Sequence, residues 1–432
     1  MTRHAALPGF RDFFPEEMVR RQQIMTVWRQ VARRYGFEEY DGPPLEELAL
    51  YIEKSGPEIV NQLFNFTDKG GREVALRPEM TPTLVRMLGS RIKGLPRPVR
   101  WFSTPQLFRY EKQQRGRLRE HFQLNMDIIG EESFLADADL LSAALDVLRS
   151  LGLTAADVVA RVSDRRLLYN ALLELGVTED KLPVAYNVMD KVERDPIDVC
   201  VKRLVDLGLS PEKAEAAIGL TRMTLAEIAE RYRDNPAVTA VAADLRRYFA
   251  ALEELGFGAF VQFDMKIVRG LAYYTGIVFE IFDRKGELRA ICGGGRYDNL
   301  FASLTGNDVP ALGFGFGDVV LGELLKDRGL TASVSRSVDY FVIPVNEEVL
   351  PHALELAGRL RAAGASAIFP FKAAGVGKNM KAAAAAGARV AIVIGPDEVA
   401  AGVVVHKDLE SGSETKPTVE SLLDEVARRS RR

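Results

Sequence analysis

Residues 108–130, FRYEKQQRGRLREHFQLNMDIIG, carry the densest set of side chains that could do chemistry. In the run after Arg119, Gln123, Asn125 and Asp127 fall on one face, while Phe122, Leu124, Met126 and Ile128 fall on the other. Such period-two alternation predicts an antiparallel strand with one face on a core and the other toward a polar space. On the incoming strand Arg109 and Glu111 share a face, two residues apart. The link between the strands carries Lys112, Arg115, Arg117 and Arg119 around Gly116. A hairpin with a cationic tip and an acid-and-amide floor suits a ligand with an anionic end and a polar, proton-bearing end. An amphipathic hairpin whose polar face simply meets water has the same pattern, so this stretch alone leaves both readings open.

Other candidate groups lie on either side. LFNFTDKGGREVALRPEMTPTLVRML (63–88) predicts a strand, a DKGGR turn, a second strand and a helix beginning near Pro82. Glu79 and Thr81 at that strand exit could hold an ammonium group, or could serve only to cap the helix. Arg91, Lys93, Arg97 and Arg100 could extend the cationic tip. Further on, Arg269 sits between apolar segments beside Tyr273 and Tyr274. A guanidinium there could grip a phosphate or carboxylate with two donors, or pair with a nearby acid such as Glu280. ICGGGRYDNL (291–300) places three glycines at a strand-to-loop junction, which lets a ligand approach the backbone. Their spacing is neither a P-loop nor a dinucleotide fingerprint. In ALGFGFGD, Gly313, Gly315 and Gly317 alternate with Phe314 and Phe316, so one strand face is bare backbone on which a flat ring could lie. Asp318 is placed to cap the following helix.

The elements that must position these groups follow from periodicity. Residues 15–40 open with a helix, acidic in its first turn and ended by Gly36, and FEEYDGPPLEE follows as strand and turn. A second helix spans 134–151, closed by Gly152. From about 160 to 250 the pattern is nearly all helical with glycine stops, which predicts a helical insertion inside a mixed domain. After a linker, residues 338–432 alternate strands and helices, as in a small α/β layer fold with a mostly parallel sheet. There Lys372, Lys378 and Lys381 could meet a phosphate backbone or simply be solvated.

Bulk properties bound the function. A chain of 432 residues, 47% hydrophobic and 27% charged, is globular and long enough for two or three domains. A net charge of −3 argues against a general nucleic-acid coat but permits a local basic patch. Two cysteines and four histidines without ligand spacing predict neither a disulfide framework nor a metal site. The start lacks the apolar stretch of a signal peptide, and no apolar run approaches the roughly 18 residues needed to span a membrane. A cytoplasmic protein is expected.

Taken together, these segments resemble the histidyl-tRNA synthetase family of class II aminoacyl-tRNA synthetases. FRYE…RGRLREHFQ is similar to the class II motif 2 hairpin, LRPEMT to the LRPE-x-T element, and IVRGLAYYTGIVFE with ICGGGRYDNL to the histidine-specific RGLDYYTG and GGGRYD segments. RVAIVIGPDEVAAGVVVHKDLESG resembles part of a class IIa anticodon-binding domain. The resemblance implies an α+β fold: a class II antiparallel sheet with flanking helices over 1–330, the helical insertion at 160–250 within it, and a C-terminal α/β anticodon-binding domain at 338–432. It also implies ATP-dependent ligation of L-histidine to tRNA(His) through histidyl-adenylate, with ATP as substrate accompanied by Mg2+, no resident metal, and a homodimer that binds neither DNA nor membrane.

By the same resemblance, Arg109 and Arg269 are catalytic at the α-phosphate. Glu79, Thr81, Arg109, Gln123, Asp127, Arg269, Tyr273 and Tyr274 hold histidine. Arg109, Glu111, Arg119, Gly315 and Gly317 meet ATP, and Lys112, Arg115 and Arg117 meet tRNA. The chain departs from the family pattern at three places. Ala272 replaces the Asp of RGLDYY, the opening reads Pro8-Gly9-Phe10-Arg11-Asp12, and Val320 stands where motif 3 commonly carries an arginine. Two alternatives stay open: a synthetase-like regulatory subunit of ATP phosphoribosyltransferase, and a ligase for another amino acid.

Overall fold

In a computed structural model the protein is described over residues 4–112, 114–267, 274–333, 338–372 and 374–430. It divides into two compact units, Met1–Ala332 and Ser333–Arg432. The strands of the first are β1 (Glu38–Glu39), β2 (Leu45–Glu47), β3 (Asn65–Thr67), β4 (Glu73–Leu76), β5 (Val99–Ser103), β6 (Gln106–Phe108), β7 (Glu120–Ile129), β8 (Val158–Asp164), β9 (Val261–Phe263), β10 (Ile277–Asp283), β11 (Cys292–Arg296) and β12 (Ala311–Gly317). Its principal helices are α1 (Pro15–Arg34), α2 (Leu48–Ser55), α3 (Thr81–Gly89) and α4 (Phe134–Ser150). They are followed by the helical run α5 (Arg165–Glu174), α6 (Leu182–Lys191), α7 (Ile197–Asp206), α8 (Pro211–Gly219), α9 (Leu225–Arg231) and α10 (Pro236–Glu254), then α11 (Asn299–Thr305) and α12 (Asp318–Asp327).

The main sheet runs β1-β5-β7-β12-β11-β10-β8-β9, with β6 paired on β7. Its neighbours are antiparallel except β1 with β5 and β8 with β9. As the alternation predicts, Leu124, Met126 and Ile128 of β7 are fully buried, packing in one core with α1 and α4. Burying each such side chain contributes about 1.5–3 kcal/mol, and a one-residue register slip would turn all three to the opposite face. The core side of β12 supplies Phe314 and Phe316 to the same cluster. α4 begins on Ser133, whose hydroxyl accepts from the Leu135 N–H at 3.2 Å. Strands β2, β4 and β3 form a small separate sheet, and the DKGGR segment turns between β3 and β4.

Three local expectations change. The helical stretch begins at Arg165 and not at 160, because Val158–Asp164 is a sheet strand paired along its whole length with β10. The incoming hairpin strand β6 ends at Phe108, so Arg109 and Glu111 lie beyond it. The Arg109 N–H still donates to the Arg119 carbonyl at 2.8 Å, but the Glu111 N–H turns back to the Arg109 carbonyl at 2.9 Å. Asp318 does not cap its helix. It is the buried first residue of α12, where its carboxylate accepts from the Phe122 N–H (2.9 Å) and from Arg11 Nη1 (2.9 Å). Arg11 also holds Glu120 through Nε at 2.6 Å, which ties the PGFRD opening to the base of β7.

The second unit has strands β13 (Val338–Pro344), β14 (Ala367–Ile368), β15 (Ala388–Ile394), β16 (Val405–Asp408) and β17 (Glu414–Thr415), in the order β14-β13-β15-β16-β17. The first three are parallel and the last two antiparallel additions. Helices at Leu350–Ala362, Val376–Ala385, Pro396–Ala401 and Val419–Ser430 accompany them. Among the described residues of the protein, no helix is long and apolar enough to cross a membrane.

Candidate active site

The polar face of β7, with the facing sides of β12, β11 and β10, floors a cleft of about 720 Å³. Register makes this floor bare. Gly313 pairs with Gly295 and Gly315 with Gly293, so the absence of side chains extends over two adjacent strands. The surface is not wholly free for a ligand, however. A Cβ on Gly313 would come within 2.0 Å of Asp127 Oδ1, and one on Gly315 within 2.4 Å of Gln123 Nε2. These two glycines therefore let the acid and amide of β7 lie across β12. Gly317 keeps open space above it and also lines the cleft.

Glu79, Thr81, Arg109, Glu111, Arg117, Gln123, Asp127, Tyr274, Gly315 and Gly317 all line this one cleft. Arg269 and Tyr273 lie outside the described residues. Lys112 and Arg115 are exposed on the hairpin tip, and Arg115 Nη2 faces Asp327 (3.7 Å) and Glu323 (3.9 Å) of α12. Arg119, expected at ATP, is not on the cleft lining. Its guanidinium lies over the Tyr110 ring, 4.6 Å from the centroid, and its Nε reaches the Glu111 carbonyl at 3.3 Å. The tip turns at Gly116 (φ 76°), where a Cβ would press on Val320 Cγ2 at 3.2 Å.

Partners and burial set the state of several of these groups. Arg109 donates from Nε to the Pro78 carbonyl at 3.1 Å, which fixes it beside the Glu79 rim. Glu79 is ion-paired with Lys54 of α2. Burial would raise its carboxyl, but Lys54 and then Arg109 outweigh burial and hold it below the usual range. Arg117 is paired with Glu111. Asp127 is buried, and desolvation pushes its carboxyl up to about 7 despite a hydrogen bond donated by the Tyr297 hydroxyl. His121, desolvated and near Arg109, is pushed down to about 4, so its ring is neutral at physiological pH. It shares a 3.2 Å hydrogen bond with Gln123 Oε1, and Gln123 Nε2 donates to Asn125 Oδ1 at 2.8 Å. His121, Gln123 and Asn125 thus form a connected series along the strand, and Asp127, the next residue on the same face, is held separately by Tyr297.

Several cleft residues were not legible as site residues: Tyr297, His121, Arg289, and Asp190 with Arg194 from the end of α6 and just past it. Tyr297 had a signal, since it follows the three glycines, but its reach to Asp127 needs the β11–β12–β7 order. The helical residues had none. Among the described residues, no group of three or more His, Cys, Asp or Glu could hold a metal ion.

A mixed, mainly antiparallel sheet with helices on one face and a charged, glycine-floored cleft on the other is the catalytic architecture that the resemblance to class II synthetases implies. The chain belongs to the histidyl-tRNA synthetase family. The family model for histidyl-tRNA synthetase matches residues 9–317, and the model for an anticodon binding domain matches residues 339–429. A histidine--tRNA ligase of Opitutus terrae is 42% identical, over 96% of this chain and 96% of that protein. The chloroplastic/mitochondrial histidine--tRNA ligase of Arabidopsis thaliana is 41% identical, over 96% of this chain and 85% of that protein. The crystal structure of histidyl-tRNA synthetase from Nostoc sp. PCC 7120 shares the fold, with a TM-score of 0.82 and 24% identity over 99% of this chain and 100% of that one.

Proposed function

We propose that this protein is an aminoacyl-tRNA ligase that joins L-histidine to tRNA(His) at the expense of ATP. In the first step a histidine carboxylate oxygen attacks the α-phosphorus, the bond to the bridging oxygen breaks, and pyrophosphate leaves with the electron pair. In the second, the terminal ribose hydroxyl of tRNA attacks the activated carbonyl and AMP departs. The observation that carries this reading is Asp127, a buried acid bonded to Tyr297 and laid across Gly313 in the same cleft as Glu79, Thr81 and Arg109. An acid reading an imidazole N–H discriminates strongly, because a ligand without that donor leaves buried polar groups unpaired.

In this reading Glu79 and Thr81 take the α-ammonium, with Lys54 sharing the Glu79 carboxylate. Gln123, Asp127 and Tyr274, beside Tyr273, line the imidazole pocket. Arg109 and Arg269 hold the α-phosphate and the histidine carboxylate. Glu111, Gly315 and Gly317 meet the nucleotide, whereas Arg119 must leave Tyr110 to do so. Mg2+ travels with the ATP phosphates and needs only one or two protein carboxylates. Glu111 and Glu280 line the cleft and fit that requirement. The exposed Lys112, Arg115 and half-buried Arg117 meet the acceptor end of tRNA. In the second unit, the exposed Lys372, Lys378 and Lys381 face the anticodon arm. The same reading makes the protein a cytoplasmic homodimer.

Purified protein should catalyse ATP–pyrophosphate exchange with histidine and with no other amino acid. Folded protein that gives no exchange with any amino acid would instead indicate the regulatory-subunit alternative, and exchange with a different amino acid would reassign the substrate.

Asp127 also gives the site a pH dependence. Without ligand its carboxyl is half protonated near 7, and an imidazole N–H is best accepted by the carboxylate. Protons therefore compete with histidine, and affinity should rise from about pH 6 to about pH 8 by more than the ligand's own titration explains. Asp127→Asn should lower histidine affinity at about pH 8 and abolish this additional step. Calorimetric titrations at several pH values measure both effects, and a wild-type profile that matches Asp127→Asn would refute the role.

A further inference from the structure

The cleft wall formed by the first turn of α12 is apolar where a nucleoside triphosphate would bring three phosphates. Val319 and Val320 line it, and Asp318 is turned away into its contacts with Arg11 and the Phe122 N–H. We infer that Arg289, on the loop between β10 and β11, supplies the cation for the β- and γ-phosphates of ATP at this wall. The inference rests on the proposed use of ATP and deepens it.

The sheet register places Arg289 there. Cys292 is opposite Phe316 in the antiparallel β11–β12 pair. The pairing continues by one residue, with the Gly317 N–H directed at the Ile291 carbonyl at 3.4 Å. Two residues further out, Arg289 therefore runs alongside the start of α12, and it lines the cleft together with Ala290, Val319 and Val320. The pairing that sets this register holds Ile291 from both sides, since its N–H donates to the Ile281 carbonyl at 2.8 Å. Of the other cations of the cleft, Arg117 is paired with Glu111 and Arg109 is tied to the Pro78 carbonyl. Arg194 is exposed like Arg289, but it lies just beyond the end of α6 and not on the segment that the register carries to the start of α12. Among the described residues Arg289 has no ion pair, and it is exposed, so its five donors are available for an incoming anion. During adenylate formation the leaving oxygen takes the electron pair of the Pα–O bond. Negative charge then grows on pyrophosphate, where a guanidinium stabilises it with no proton transfer.

The test uses the full chain and three variants: Arg289→Ala, Arg289→Lys, and Arg289→Ala combined with Val320→Arg. Equilibrium binding of ATP and of AMP is measured first, then KM for ATP and for histidine in pyrophosphate exchange. Arg289→Ala should weaken ATP by about 10- to 100-fold while AMP and histidine stay within about twofold. Arg289→Lys should fall between, keeping the charge without the planar fork. Restoring a guanidinium on the same wall with Val320→Arg should recover part of the loss. ATP binding unchanged in Arg289→Ala, or AMP weakened as much as ATP, would overturn the inference. Wild-type protein that shows the Arg289-dependent preference for ATP over AMP but no histidine-dependent exchange would uphold the inference and refute the proposed reaction. Protein that binds no ATP would refute both.

Discussion

Arg109→Ala is expected to remove histidine-dependent pyrophosphate exchange by about 10²- to 10³-fold in kcat, while the fold is retained. Arg109 follows the last residue of β6, its N–H is bonded to the Arg119 carbonyl, and its Nε is bonded to the Pro78 carbonyl. Two backbone contacts therefore aim a half-buried guanidinium that lies near Glu79 but forms no ion pair among the described residues. A cation held in that way costs little reorganisation when charge develops on the non-bridging phosphate oxygens, which is where preorganised donors act most strongly. Removing it deletes one side-chain hydrogen bond and no core contact, so the thermal midpoint should move by only a few degrees. Arg109→Lys should recover part of kcat, since the charge returns but the bidentate geometry does not. The decisive comparison is kcat against KM. A rise in KM for ATP with kcat unchanged would mean that Arg109 only binds substrate and does not act on the transition state.

The polar face of β7 was legible because a half-buried antiparallel strand must alternate, and Gln123, Asn125 and Asp127 do so without interruption. The glycine alternation of β12 was legible for the same reason. What it meant was only half legible. The bare face accommodates the side chains of Asp127 and Gln123 as well as any ligand, and this depends on which strands are neighbours. Strand β8 was hidden because VVARVSD sits in the sheet interior, where both faces are covered and period two fades. The helices after it then set the apparent pattern. The role of Asp318 was misread because a carboxylate at the start of a helix looks the same in sequence whether it caps backbone N–H groups or meets an arginine more than 300 residues away. Long-range pairs of this kind, including Tyr297 with Asp127, have no local signature.

Arg296→Met should destabilise the protein by about 3–5 kcal/mol. Arg296 ends β11, and its guanidinium is buried against α4. Nη2 meets Asp137 Oδ2 at 2.5 Å, Nε lies 3.2 Å from the same oxygen, and Nη1 donates to the Glu131 carbonyl at 2.8 Å. Most of the loss comes from what is left behind, a buried Asp137 carboxylate with no countercharge. Burial already raises the Asp137 carboxyl to about 6 against the pull of Arg296, and without that pull it rises further. The sign follows from proton counting. A carboxyl raised in the folded state binds more protons folded than unfolded, so its stability contribution is complete at low pH and is lost as pH rises through the folded value. In Arg296→Met that loss shifts to higher pH. The deficit against wild type, read from urea denaturation, should therefore be largest at about pH 8 and shrink toward about pH 5. Pairing Arg296→Met with Asp137→Leu should restore much of the stability, because the uncompensated charge is gone. A deficit independent of pH would assign the loss to packing. The pair also joins the glycine strand of the cleft floor to the helix behind it, so the restored double variant asks a functional question. If ionic anchoring only stabilises the fold, exchange activity returns with stability. If it also sets the level of Gly293 on the cleft floor, stability returns while KM for ATP stays raised.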